Sequence, residues 1–131
     1  MISQFSIRTQ SRIDFIDITR EISKIVNESK VRDGVCYVFI PHTTASITIN
    51  ENADPDVSTD MIKEINKIVP FSDNYRHFEG NSAAHIKSSM IGASEIVIIE
   101  NGKLKLGRWQ GIYFCEFDGP RRRKVWITIS A

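Results

Sequence analysis

The stretch that decides the fold reads Val35-Cys36-Tyr37-Val38-Phe39-Ile40, then Pro41-His42-Thr43-Thr44, then Ala45-Ser46-Ile47-Thr48-Ile49. The first run is apolar on both faces, which predicts a central strand. The third alternates, with Ala45, Ile47 and Ile49 on one face and Ser46 and Thr48 on the other, the pattern of a half-buried strand. A short polar segment carrying His42 joins them. Working outward, residues 2–8 and 13–18 read as strands joined by Thr9-Gln10-Ser11. From Thr19 the period changes, and Ile22, Ile25, Val26 and Ser29 mark a helix face that ends before Asp33-Gly34. Asp54-Pro55 is an N-cap followed by proline at the first helical position, and Val57, Met61, Ile65 and Ile68 give that helix its inner face until Pro70. Residues 71–82 have no periodicity, and a loop of that length in a small domain is a functional candidate. Ser82 is placed to cap a helix over 83–91 that Gly92 ends. The remaining elements are a 95–99/103–106 hairpin around Asn101-Gly102 and strands at 109–117 and 123–129.

These elements predict a single α+β domain over residues 1–131, a mostly antiparallel sheet packed with about three helices. A chain of this length buries roughly two-thirds of its unfolded surface. Apolar residues make up 41% and charged residues 25%, which excludes a disordered chain. No apolar run approaches the ~20 residues of a membrane span, and no signal-peptide pattern opens the chain. The formal charge of +1 excludes a global field for nucleic acid or anionic lipid. Cys36 and Cys115 each sit in an apolar run and read as buried thiols rather than a disulfide. The expectation is a soluble cytoplasmic protein. The 21 isoleucines against 2 leucines inflate strand propensity throughout, so periodicity decides between helix and strand.

His42, His77 and His85 occupy the least regular parts of the chain, 35 and 8 residues apart, which fits no short metal motif. They are either three separate polar side chains or one assembled site. Context favours a site, because each has small polar neighbours: Thr43 and Thr44, Asn81 and Ser82, Lys87 and Ser88. Three neutral imidazoles suit a divalent transition ion, zinc rather than magnesium, with a position left for water or substrate.

A second constellation is Gly119-Pro120-Arg121-Arg122-Arg123-Lys124. Such a run is either a solvated, aggregation-resistant edge or a phosphate fork. Strand alternation puts Arg121 and Arg123 on one face, with Arg122 and Lys124 opposite. Among the carboxylates near the second helix, Asp54 reads as a cap, while Asp60 could face a site. In Gly107-Arg108-Trp109-Gln110, Trp109 reads as core before it reads as a stacking platform.

Together, Pro41-His42-Thr43-Thr44-Ala45, Asn50-Glu51-Asn52, Asp60, His77, Asn81 through Ser89, Gly92, Gly107 through Ile112, Glu116 and Gly119 through Arg123 form an ordered signature. On these motifs nearly the whole chain resembles the YjbQ-like family, also called secondary thiamine-phosphate synthases. The resemblance implies a compact α+β homotrimer in which His42, His77 and His85 share a pocket for a metal or an anion. It also implies a weak or secondary transferase activity, joining a pyrimidine diphosphate to a thiazole phosphate. In that reaction Arg121, Arg123 and the metal would neutralise pyrophosphate, and the histidines or Glu116 would orient the reacting groups. Thr43, Asn81, Lys87, Ser88, Trp109 and Gln110 would hold the substrate. The competing expectations are a metal-dependent hydrolase of a small phosphorylated substrate and a non-catalytic binding protein for a phosphorylated metabolite.

Overall fold

A computed structural model describes residues 1–131. Eight strands and three helices follow one another as β1 (Ile2–Arg8), β2 (Asp14–Asp17), α1 (Thr19–Ser29), β3 (Gly34–Phe39), β4 (Ala45–Glu51), α2 (Pro55–Ile68), α3 (Ser82–Ile91), β5 (Ser94–Glu100), β6 (Lys103–Leu104), β7 (Gln110–Glu116) and β8 (Arg122–Ser130). They form a five-stranded sheet in the order β1-β8-β3-β5-β6 and a three-stranded sheet in the order β2-β7-β4. Every pairing is antiparallel. This is the single α+β domain that the periodicity predicts.

The main core lies between the two sheets and takes in α1. Ile22 and Val26 of α1 meet Cys36 and Val38 of β3, Ile47 of β4, Val97 and Ile99 of β5, Ile112 and Phe114 of β7, and Val125 and Ile127 of β8. Each such aliphatic side chain contributes about 1.5–3 kcal/mol by leaving water. Strand β7 is buried on both faces. Ile112 and Phe114 point into the main core, while Tyr113 and Cys115 join Phe15, Ala84 and Phe117 in a smaller cluster. Helix α2 covers that cluster through Met61, Ile62 and Ile65. Burial pushes the free thiols of Cys36 and Cys115 up to about 11 and about 12, so both are inert core groups.

Three local expectations differ. Ile68, expected on the inner face of α2, is 60% exposed, and Val69 beyond the helix turns inward at 6%. The chain leaves the helix there, so the 3.6-residue period stops applying one residue early. Trp109, read first as core, is 54% exposed, with the Arg108 guanidinium 4.9 Å from its ring centroid. Helix α3 starts at Ser82 after Asn81, and no side chain caps it. In contrast, Asp54 caps α2 as expected, accepting from the Asp56 N–H at 2.9 Å ahead of Pro55.

No helix is long and apolar enough to cross a membrane. The outer face of the large sheet carries Tyr37 and Phe39 of β3, Ile96 and Ile98 of β5 and Trp126 of β8, all exposed. Register makes them neighbours, with Val35 opposite Ile98, Tyr37 opposite Ile96 and Phe39 opposite Trp126. The Phe39 and Trp126 rings stack at 6.0 Å.

Candidate functional site: a histidine groove held by a buried ion pair

Strand β3 is followed by Pro41 and the segment that turns the chain into β4. His42, Thr43 and Ala45 from this turn face His85, Ser88 and Ser89 of α3, with Gly92 and Ala93 closing a groove of about 480 Å³. His85, Ser88 and Ser89 share one face of α3 by their i, i+3, i+4 spacing. The Ser88 hydroxyl is buried and has no hydrogen-bond partner in the protein. No carboxylate lines the groove.

The His42 Nε2 accepts the peptide N–H of Lys124 on β8 at 2.9 Å. Lys124 lies beyond the last β3–β8 pair, Phe39 with Trp126, so the imidazole stands where a β3 carbonyl would otherwise be. Partial burial and the positive charges of Arg123 and Arg121 hold the His42 pKa below the usual histidine value, against an opposing pull from Glu116. His42 is therefore neutral at physiological pH.

Behind the groove lies a buried network. Glu116 and Arg123 are almost fully buried, and the guanidinium grips the carboxylate through Nε at 2.8 Å and through Nη2. The same Nη2 donates to the Thr44 carbonyl at 3.1 Å and its hydroxyl at 2.9 Å, tying down the turn that carries His42. Glu116 also accepts from the Thr9 hydroxyl at 2.8 Å and the Asp118 N–H at 2.9 Å. Burial alone would raise the Glu116 pKa. Arg123, the Asp118 N–H and Thr9 outweigh it and hold the carboxyl below its ordinary range. Asp118 accepts from Asn81 Nδ2 at 3.0 Å and from Arg121 Nη2 at 3.1 Å. The network thus reaches both walls of the groove, through Thr44 to His42 and through Asn81 to the start of α3.

The structure redistributes the residues singled out from sequence. His42, Thr43, His85 and Ser88 come together. His77 does not face that groove. Its ring lies 5.6 Å from His85, edge to face, in an adjoining pocket with Tyr75, Arg76 and Ser82. The expected metal centre is corrected: no three His, Cys, Asp or Glu side chains come close enough to hold an ion. The phosphate fork is corrected too. Only Arg123 lies within β8 and faces the core, while Arg121 precedes the strand and is exposed. Arg123 is spent on Glu116, and Arg121 lies half-exposed on Asp118. Glu116 is enclosed, helps to position the turn and does not line the groove.

Lys87 is 3% exposed, and its amine ends on Asn66 Oδ1 of α2 at 2.5 Å rather than in the groove. Burial lowers its pKa. Asn81 serves the network and leaves its own Oδ1 buried and unpartnered. Trp109 and Gln110 sit at the far end of the β4–β7 ladder, where Glu51 opposes Gln110, while Ala45 opposes Glu116 at the groove end. Strand rise separates those ends by roughly 20 Å. Gln110 accepts the Gly107 N–H at 2.7 Å and closes its own turn. Sequence reasoning named Thr44 and Ser89 only as polar members of the motifs and did not single out Thr9 or Asp118, of which only Asp118, beside Gly119-Pro120, had a signal.

Arg121 and Arg122 offer a check on this assignment. Both alanine variants are expected to change stability by under about 1 kcal/mol, since exposed ion pairs contribute little. Chemical denaturation compares them directly.

An α+β domain of two stacked antiparallel sheets, with a histidine-lined groove at one end of the smaller sheet, defines the class of protein. The family description UPF0047 protein YjbQ-like matches residues 3–131, and the chain belongs to that family. It is 53% identical over 130 residues to the UPF0047 protein YugU of Bacillus subtilis, covering 98% of each. It is 51% identical over 129 residues to a UPF0047 protein of Methanocaldococcus jannaschii, covering 98% of this chain and 94% of that one. A crystal structure of a YjbQ/UPF0047-family protein of Clostridium acetobutylicum superposes with a TM-score of 0.96 at 58% identity, covering 98% of this chain and 99% of that one. A YbjQ-like protein of unknown function from Sulfolobus solfataricus superposes at 0.94 with 30% identity, covering 98% and 95%. These relatives correct the activity expected from the resemblance. They carry only the UPF0047 or YjbQ-like designation, one of them explicitly with unknown function, and support no thiamine-phosphate-synthase or transferase assignment.

Proposed function

We propose that the protein binds a small phosphorylated metabolite in the groove between His42 and α3. The observation that carries this reading is the lining of the groove: His42 and His85 with Thr43, Ser88 and Ser89, and no carboxylate. The balanced total charge of +1 gives no global attraction for nucleic acid. Calorimetric titration with inorganic phosphate and pyrophosphate tests the reading. Ser89→Ala and His85→Ala should each weaken binding by about 1.5–3 kcal/mol, the scale of a hydrogen bond to a charged group. Equal affinity in wild type and both variants would remove the groove as the binding site.

The same reading has the chain working as a homotrimer in the cytoplasm. The exposed apolar face of Tyr37, Phe39, Ile96, Ile98 and Trp126 supports self-association, since contiguous apolar patches mark interaction surfaces. Two unpaired thiols are in keeping with a reducing compartment. Ile96→Glu is expected to reduce the mass measured by light scattering from that of three subunits to that of one, with circular dichroism unchanged. A wild-type protein already monomeric at micromolar concentration would overturn the trimer.

A further inference from the structure

We infer that the peptide N–H of Lys124 locks His42 as an Nδ1–H donor, so that the groove selects a ligand presenting an oxyanion at that position. The inference rests on the groove being the ligand site and adds how His42 reads the ligand. A neutral imidazole has one N–H and one lone pair. The lone pair belongs to Nε2, because that atom accepts the Lys124 N–H at 2.9 Å. The proton is then on Nδ1, and no protein group accepts it. His42 lines the groove and its Nδ1 is not enclosed by protein, so an oxygen of a ligand seated there can accept that proton.

The lock also works against the alternatives. Protonating Nε2 would set an imidazolium N–H against the Lys124 N–H, two donors facing one another. Coordinating a metal through Nδ1 would require the proton to move to Nε2 and the same hydrogen bond to break. His42 is thus held away from both the general-base and the metal-ligand roles. The device is built from backbone, since β3 ends before Pro41 and leaves the Lys124 N–H without a β3 partner. Any residue except proline supplies it at position 124, so the Lys124 side chain is not part of the lock.

Long-range proton–nitrogen correlation spectra of the full chain at neutral pH read the tautomer directly, with the His42 signals identified by their loss in His42→Gln. The expected pattern is Nδ1 protonated and Nε2 unprotonated. An Nε2–H tautomer would overturn the lock. Stoichiometric zinc is expected to leave the His42 nitrogen shifts in place, and a metal-bound Nδ1 shift would overturn it as well. Inorganic phosphate titrations then test the ligand. The amide of asparagine reaches the Nδ1 position and that of glutamine the Nε2 position, so His42→Asn should lose less affinity than His42→Gln, by about tenfold, one charge-assisted hydrogen bond. The reverse order would overturn donation from Nδ1. Wild-type protein that shows the Nδ1–H tautomer but binds no phosphate would leave the lock standing and remove the anion reading alone.

Discussion

Glu116→Gln is expected to lower folding stability by about 3–5 kcal/mol, because it leaves the Arg123 guanidinium buried without a counter-charge. For a chain of this size that is a drop in Tm on the order of 10–20 °C. The physical reason is asymmetry. Both ions have already left water, and their mutual attraction with the Thr9, Thr44 and Asp118 hydrogen bonds offsets that loss only while both are present. Arg123→Ala should cost a similar amount from the other side. A paired replacement, Glu116→Leu with Arg123→Met, should recover part of it, since apolar side chains of similar volume carry no desolvation penalty. The pH dependence has a definite sign. The folded-state pKa of Glu116 lies below its ordinary value of 4.5. Its contribution is therefore complete at neutral pH and is lost as pH falls from about 4.5 through the folded value. Urea denaturation of wild type and Glu116→Gln between neutral and strongly acidic pH should show the difference shrinking over that window. A difference that stays constant or grows toward acid would refute the charged pair.

Gly119→Ala is expected to cost about 2–3 kcal/mol or more, without changing any charge. A Cβ at this position would stand 2.3 Å from the Ser11 carbonyl oxygen, 2.8 Å from Glu116 Cγ and 2.9 Å from the Thr9 hydroxyl. The first of these is backbone, so no rotamer change relieves it, and the other two belong to the ion-pair network. The Gly119 N–H also bonds the Arg12 carbonyl at 2.9 Å, which pins the turn in place. The loss should appear in denaturant midpoints at all pH values, unlike that of Glu116→Gln. Wild-type stability in Gly119→Ala would mean that the β7–β8 turn is not packed against Thr9 and Ser11 as described.

The fold was legible because its determinants are local. The apolar run at 35–40, the alternation at 45–49, the Asp54-Pro55 cap and the Asn101-Gly102 turn each impose a backbone geometry that needs no knowledge of the rest of the chain. Errors fell where local pattern meets an edge. Ile68 obeys the helical period but sits in the last turn, where Val69 takes the burial. Trp109 has the size of a core residue but lies beyond the start of β7. The candidate site was legible only in part. His42, Thr43, His85 and Ser88 line one groove. Arg123, Lys87, Gln110 and His77 have the right chemistry but face other partners.

By itself, then, the sequence determined the elements, their antiparallel arrangement, the two buried thiols and the identity of the polar residues around the histidines. All of these follow from the period of hydrophobicity and from the backbone preferences of Pro, Gly, Asp and Asn. Tertiary structure alone decided which cation is spent on the buried Glu116, which histidines share a groove, and which nitrogen of His42 carries the proton. The reason is distance along the chain. Arg123 meets Thr44 from 79 residues away and Lys124 meets His42 from 82. Alternation places a side chain on a face. Only the packing of one sheet on the other says whether that face looks onto water, a ligand groove or a buried carboxylate.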